Sequence, residues 1–410
     1  MKKIGLFLFD ICFALQMVAQ EQNYFTNPVI RGDVPDPSVI RIEDTYYATG
    51  TSSEWAPFYP MFTSKDLVNW KQVGHVFTKQ PSWTSNSFWA PELFYHNNKV
   101  YCYYTARQKS TGISYIGVAT SDSPLHEFTD HGPIVEYGKE AIDAFIYDDN
   151  GQLYISWKAY GLDTRPIELL GCKLSADGLH LDGEPFTLLV DEKGIGMEGQ
   201  YHFKEGDYYY IVYAAHGCCG PSSDYDVYVA RARNYGGPYE KYSGNPILHG
   251  GEGDYKSCGH GTVVRTSDGR MFYMCHAYLK GDGFFIGRQP ILQEMEMTDD
   301  HWVRFKTGNL AIAEQPIPFV GTKQEPLSDF EDNFKGNQLK VDWTWNYPYS
   351  DIHAVLKKGK LFLSGTPKNN NKYGTALCLR PQSPQYSCET KVINTGKGPV
   401  SYTHLRAHET

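Results

Sequence analysis

The chain has no run of lysine or arginine, and its formal net charge is −9. It therefore offers no footprint for a phosphate backbone, and a nucleic-acid partner is not expected. Long helical patterns are missing too. No stretch sustains apolar residues at i, i+3, i+4 and i+7, so α/β architectures have little support. Nine cysteines in 410 residues do not make a disulfide framework, and most are expected to be buried small hydrophobes. No Cys/His spacing suggests structural zinc. The apolar stretch from Ile4 to Val18 is too short to span a membrane well.

What is abundant is aromatic: 15% of the residues, including 31 tyrosines, which favours β-structure and supplies flat faces for stacking on sugar rings. The length predicts one large domain plus something smaller. Lys2 and Lys3, the apolar stretch and Ala19-Gln20 have the layout of an export signal over 1–20, removed after Ala19 or Gln20. Asp10 is atypical of such a signal, and a ragged N-terminal strand is the alternative. Phe9-Asp10-Ile11 lacks the small residues that would make Cys12 a lipid anchor. The expected location is secreted or periplasmic. Cys218-Cys219, between Gly217 and Gly220, reads either as a vicinal disulfide or as two loop thiols.

One short pattern recurs five times. A turn residue followed by a Tyr-rich alternating run appears at Asp44-Thr45-Tyr46-Tyr47, Asn98-Lys99-Val100-Tyr101, Gly151-Gln152-Leu153-Tyr154, Gly206-Asp207-Tyr208-Tyr209 and Gly269-Arg270-Met271-Phe272. The spacing is roughly 50 to 60 residues, close to that of four-stranded propeller blades with loop insertions. Phe62 to Leu67, Ala119 to Asp122 and Leu174 to Gly178 each read as a strand running into a tight polar turn, as the outer hairpin of a blade does. The expected fold is an all-β, five-bladed propeller over 24–320. In such a ring the inner strands line one channel, so residues at one phase of the repeat converge on the axis.

Just upstream of the five copies stand Asp36, Glu92, Asp143, Glu198 and His260, one ionisable group per blade. Carboxylates gathered in a cleft repel one another, so one should keep its proton near neutral pH while another stays ionised. Glycosidic hydrolysis requires that division, an acid for the leaving oxygen and a base or nucleophile at the anomeric carbon. Taken singly, each carboxylate is better explained as a solvated turn or edge residue; the shared phase and the apolar neighbours weigh against that.

Pro35-Asp36-Pro37-Ser38, Trp89-Ala90-Pro91-Glu92, Ile142-Asp143, Glu198-Gly199 and Gly259-His260-Gly261, in this order, resemble glycoside hydrolase family 43 over roughly Asn27 to Ile317. That family comprises five-bladed propellers acting mainly as β-xylosidases, α-L-arabinofuranosidases and arabinanases. The resemblance implies that Asp36 is the general base, Glu198 the general acid, and Asp143 the carboxylate that orients the acid and raises its pKa. Inversion would follow, with acid and base ~6.5–9.5 Å apart. Asp33 is a weaker rival for the base, and Glu92 stands outside the chemistry. The resemblance places His260 near the channel, where it would help hold a hydrated Ca²⁺, although a lone His on an inner strand is commonly a core residue; no cofactor is otherwise required. It implies that Arg288 contacts the sugar. Trp89 and Phe145 are candidate stacking faces, with blade packing as the alternative.

Beyond Pro318 the repeat stops. A linker is expected over 321–327, and 328–399 looks like the opening of the C-terminal β-sandwich of xylosidase-type family members, too short to be complete. Residues 400–410 resemble translated sequencing-adapter read-through, which would make the natural protein longer. The expected partner is an oligosaccharide or polysaccharide: arabinoxylan, xylan or arabinan. An exo-acting pentosidase is the leading expectation, with an endo-arabinanase or a non-catalytic sugar-binding propeller as alternatives. A fructan-hydrolysing propeller ranks low because its Asn-Asp-Pro-Asn start is absent.

Overall fold

The computed structural model describes residues 23–160, 166–371 and 374–391, so the expected export signal and the tail at 400–410 lie outside the described residues. Each Tyr-rich copy is the second strand of a four-stranded antiparallel sheet with strands in sequence order. Blade 1 comprises Ser38–Ile42, Thr45–Thr49, Phe58–Ser64 and Lys71–Phe77. Blade 2 comprises Thr84–His96, Lys99–Gln108, Ser114–Ser121 and Thr129–Val135. Blade 3 is built of Ala141–Asp149, Gln152–Ala159, Glu168–Lys173 and Phe186–Val190. Blade 4 follows with Glu198–Glu205, Tyr208–Ala215, Asp226–Ala232 and Glu240–Lys241, and blade 5 with Tyr255–Arg265, Met271–Leu279, Arg288–Met297 and Val303–Phe305. Helical structure among the described residues is one 3-10 turn, Gly281–Ile286, and no described helix is long and apolar enough to cross a membrane.

Tyrosine dominates the second strands because these are buried on both faces between neighbouring blades, where a large ring fills the gap and its hydroxyl reaches a polar edge. Tyr103 and Tyr210, for example, are fully buried and donate to the backbone oxygens of Gly178 and His301. The apolar core is accordingly divided into five clusters, each sealing one junction between consecutive blades. Trp157, wholly buried between blades 2 and 3, is the largest side chain in this layer. Truncating a core ring of that size typically costs about 3–5 kcal/mol.

The ring is closed by chain ends. Tyr24–Thr26 pairs antiparallel with Glu314–Pro316, and Asn27 clasps Leu292 through both its side-chain amide groups. Closure packs the first blade against the last and leaves only the short outer strand of each blade as an edge.

Among the described residues after the propeller, two short strand pairings are formed. Trp345–Asn346 adds to Trp55–Ala56 beside blade 1, and His353–Leu356 pairs with Leu361–Ser364. Val355 and Phe362, paired on one face of that hairpin, remain exposed, a face that a further sheet would cover.

Candidate active site

Each inner strand, or in blade 1 the turn leading into it, carries a left-handed residue at one phase of the repeat: Asp36 (φ 55°), Ala90 (φ 42°), Asp143 (φ 59°), Gly199 (φ 60°) and His260 (φ 46°). In blades 2 to 5 a β-bulge coincides with it, opening the register at Trp89/Glu92, Ile142/Phe145, Glu198/Tyr201 and Gly259/Gly261. A bulge re-aims side chains, and left-handed non-glycine residues cost about 1–3 kcal/mol each, a cost typically met at functional sites. The phase expected from sequence is therefore corrected in two blades. Ala90, not Glu92, is equivalent to Asp36, and Glu198 sits one residue ahead of its counterpart, Gly199. That glycine is required because a Cβ there would lie 2.5 Å from the His260 ring.

A second layer follows the same symmetry. Thr51, Thr105, Lys158 and His276 stand opposite the residue preceding each left-handed position, and each reaches into the next blade. Thr51 Oγ1 accepts the Ala90 N–H at 2.6 Å, Thr105 Oγ1 the Asp143 N–H at 3.1 Å, and His276 Nδ1 the Asp36 N–H at 3.1 Å. Lys158 Nζ instead pairs with Glu198 Oε2 at 2.5 Å.

Three carboxylates meet around His260. Its Nδ1 lies 3.5 Å from Asp36 Oδ1 and 3.7 Å from Asp143 Oδ2, and the Gly199 N–H donates to Asp143 Oδ2. Arg288 approaches Asp36 Oδ1 at 3.5 Å, and Thr51 donates to Asp36 Oδ2 at 2.6 Å. Tyr225 donates to Glu198 Oε1 at 2.9 Å and stacks on His276.

These surroundings push the three carboxyls apart. Burial by itself would raise Asp36, but Arg288 and then His260 outweigh it and hold Asp36 ionised far below the ordinary carboxylate range. Asp143 is pushed up to about 7, mainly by burial, with the Glu198 charge adding to the rise and His260 opposing it. Glu198 is also buried, yet the charge and hydrogen bond of Lys158, with that of Tyr225, bring it below its ordinary value. The cation beside Glu198 thus favours its ionised form in the free protein, opposite in direction to the raised pKa that the resemblance implies for the acid.

Other expected residues fall as follows. Trp89 is half-buried, stands directly before the left-handed Ala90, and belongs to none of the five apolar clusters. Phe145 is corrected: it is 5% exposed, packed on Tyr201 at 4.5 Å and stacked on His202 at 5.2 Å, a blade-packing position. Asp33 accepts the Arg288 N–H at 2.8 Å, and so anchors the arginine that faces Asp36. Glu92 lies beside Ser38, and burial pushes it up to about 8, leaving it neutral at pH 7. No group of three or more His, Cys, Asp or Glu among the described residues is arranged to hold a metal directly. Sequence reasoning missed Lys158, Tyr225, His276 and Thr51. Lys158 left a readable signal as the one charge inside the apolar run Leu153 to Ala159.

An ionised carboxylate on one side of His260 and a second pair of carboxyls on the other supply the groups that hydrolysis of a glycosidic bond requires. The sequence profile described as Glycosyl hydrolases family 43 matches residues 25–303, and the chain belongs to that family. It is similar to a xylan 1,3-beta-xylosidase of Vibrio sp., with 28% identity over 93% of this chain and 76% of that protein. It is also 30% identical to the extracellular exo-alpha-(1->5)-L-arabinofuranosidase of Cellvibrio japonicus, over 66% of this chain and 84% of that protein. Among solved structures, a thermostable family-43 glycoside hydrolase shares 29% identity at a TM-score of 0.63, over 72% of this chain and 99% of that one. The Bacteroides ovatus xyloglucan PUL GH43B structure shares the fold at a TM-score of 0.74, with 24% identity over 88% of this chain and 72% of that one.

Proposed function

We propose that this glycosidase removes terminal pentose residues, β-xylose or α-L-arabinofuranose, from arabinoxylan, xylan or arabinan chains with inversion of configuration. The observation that carries the mechanism is the opposite treatment of buried carboxyls: Asp36 held ionised by Arg288, and the Asp143/Glu198 pair holding one proton. Asp36 takes a proton from water as the water oxygen attacks the anomeric carbon. Glu198, having received the proton of the pair, passes it to the leaving oxygen as the glycosidic bond breaks. Asp143 stores that proton in the free enzyme, and Lys158 and Tyr225 fix the Glu198 carboxyl between them. Trp89 provides a face for the terminal sugar, and Arg288 a donor for its hydroxyls. A hydrated calcium beside His260 would be held through water, and it is assigned no step.

The pentose choice rests on the names of the relatives, which include both a xylosidase and an arabinofuranosidase. Paired nitrophenyl β-xyloside and α-L-arabinofuranoside assays test it. Release of nitrophenol from at least one is expected, and activity on neither, with hydrolysis of internal arabinan bonds instead, would replace the exo reading with an endo one.

A further inference from the structure

Cys218 and Cys219 are joined in a vicinal disulfide, on the loop between the second and third strands of blade 4. That loop leaves the end of the second strand one residue past Ala214, which faces Glu198 across the sheet. The disulfide therefore sits on the face of the propeller that carries the carboxylates.

The loop is fastened on both sides of the acid. Ser223 Oγ donates to the carbonyls of Gly217 and Cys218 and meets Ser257 Oγ of blade 5 at 2.7 Å. Two residues on, Tyr225 donates to Glu198. On the other flank the Gly220 N–H donates to Tyr278 Oη, whose strand position is directly across from Arg288. Tyr278 in turn stacks on Phe284 at 4.6 Å. The disulfide thus spans the rim between the groups that hold Glu198 and the arginine that faces Asp36. Cys218 is half-buried and Cys219 is exposed, so one sulfur is anchored and the other faces outward.

A vicinal disulfide ties two adjacent residues into an eight-membered ring and removes most of their backbone freedom. It presents polarizable sulfur and Cβ methylenes without a hydrogen-bond donor, a surface that suits the C–H face of a sugar ring. Glu198 protonates the leaving oxygen, so a platform beside Glu198 borders the departing part of the substrate and not the terminal pentose. We infer that the Cys218–Cys219 disulfide is a rigid binding platform for the sugar on the leaving-group side of the scissile bond. This inference rests on the proposed exo-pentosidase reading.

The test compares wild type with the double variant Cys218→Ala/Cys219→Ala on two substrates that share one pentose. One is the pentose disaccharide the wild type hydrolyses, which fills both sides of the bond. The other is the glycosyl fluoride, which fills only the terminal-sugar side and needs no protonated acid. KM for the disaccharide is expected to rise about three- to tenfold with kcat little changed, and kcat/KM for the fluoride to stay the same. Thiol labelling of denatured wild type, with and without a reductant, is expected to show two extra thiols after reduction. The inference is overturned if both substrates lose activity alike, if only kcat falls, if neither changes, or if the two thiols label without reduction. A variant that melts well below wild type is replaced by Cys219→Ser, judged by the same KM contrast. Wild type inactive on both substrates would instead remove the pentosidase reading, and this inference with it.

Discussion

Asp36→Asn is expected to lower kcat/KM by about 10²–10⁴-fold, the range for loss of a positioned general base, and to fold but melt below wild type, because Arg288 loses its buried counter-charge. Asparagine tolerates the left-handed backbone that position 36 requires (φ 55°). Its amide oxygen can still accept from Thr51. Glu198→Gln is expected to be selective in a different way. An oligosaccharide, whose leaving oxygen needs a proton, should lose about 10³-fold, and a nitrophenyl glycoside, whose leaving group is already a good one, markedly less. Equal losses on both substrates would deny Glu198 the role of acid. Rates of the three proteins on the two substrate types, with melting curves for each, make the comparison.

Lys158→Met carries the second large effect because it removes the cation from a buried pair. Losing one partner of such a pair typically costs about 3–5 kcal/mol. The pH dependence gives the more specific sign. In wild type, Lys158 keeps the folded Glu198 pKa below its unfolded value, so the stability this pair contributes is present at neutral pH and lost as pH falls through the folded pKa. Without Lys158, burial and the neighbouring Asp143 carboxyl leave Glu198 raised instead. Its contribution is then retained at low pH and lost as pH rises. The melting deficit of the variant should therefore be larger at pH 8 than at pH 5. The same change strengthens the hold of the Asp143/Glu198 pair on its last proton, so the alkaline limb of kcat/KM should move up by about one pH unit or more. An unmoved limb, with a deficit independent of pH, would mean that Lys158 only fills space.

How far the sequence exposes this structure differs between its layers. The five Tyr-rich copies were legible because a strand buried on both faces demands large rings and β-branched residues at each repeat, and all five became second strands. The inner strands were harder. Asp36 and Asp143 stand eleven residues before Tyr47 and Tyr154, and the same count from Tyr101 reaches Ala90; Glu92 was aligned there for its charge, while in blade 4 the bulge at Glu198/Tyr201 displaces the acid by one residue from the left-handed position. Sequence leaves Phe145, beside Asp143, open between a sugar face and a packing ring, and alternation along its strand carries the ring into contact with His202, the packing alternative. Lys158 and His276 escaped notice because they act across blade boundaries, on residues 40 and 240 positions away. Proton placement within the Asp143/Glu198 pair was not readable at all, since it depends on which carboxyl the lysine touches. The short stretch after the propeller showed its apolar pattern in Lys360 to Gly365, but a hairpin with one uncovered face does not specify what packs on it.

The central claim is that water attacks from the Asp36 side while Glu198 protonates the leaving oxygen, with no covalent link to the protein. Proton NMR of the first anomer released, recorded before mutarotation, tests this most directly. Hydrolysis of a β-xyloside should release α-xylose first, and hydrolysis of an α-arabinofuranoside should release the β-anomer first. Initial release of a sugar with the configuration of the substrate would contradict the account, because it would require one of these carboxylates to act as a nucleophile.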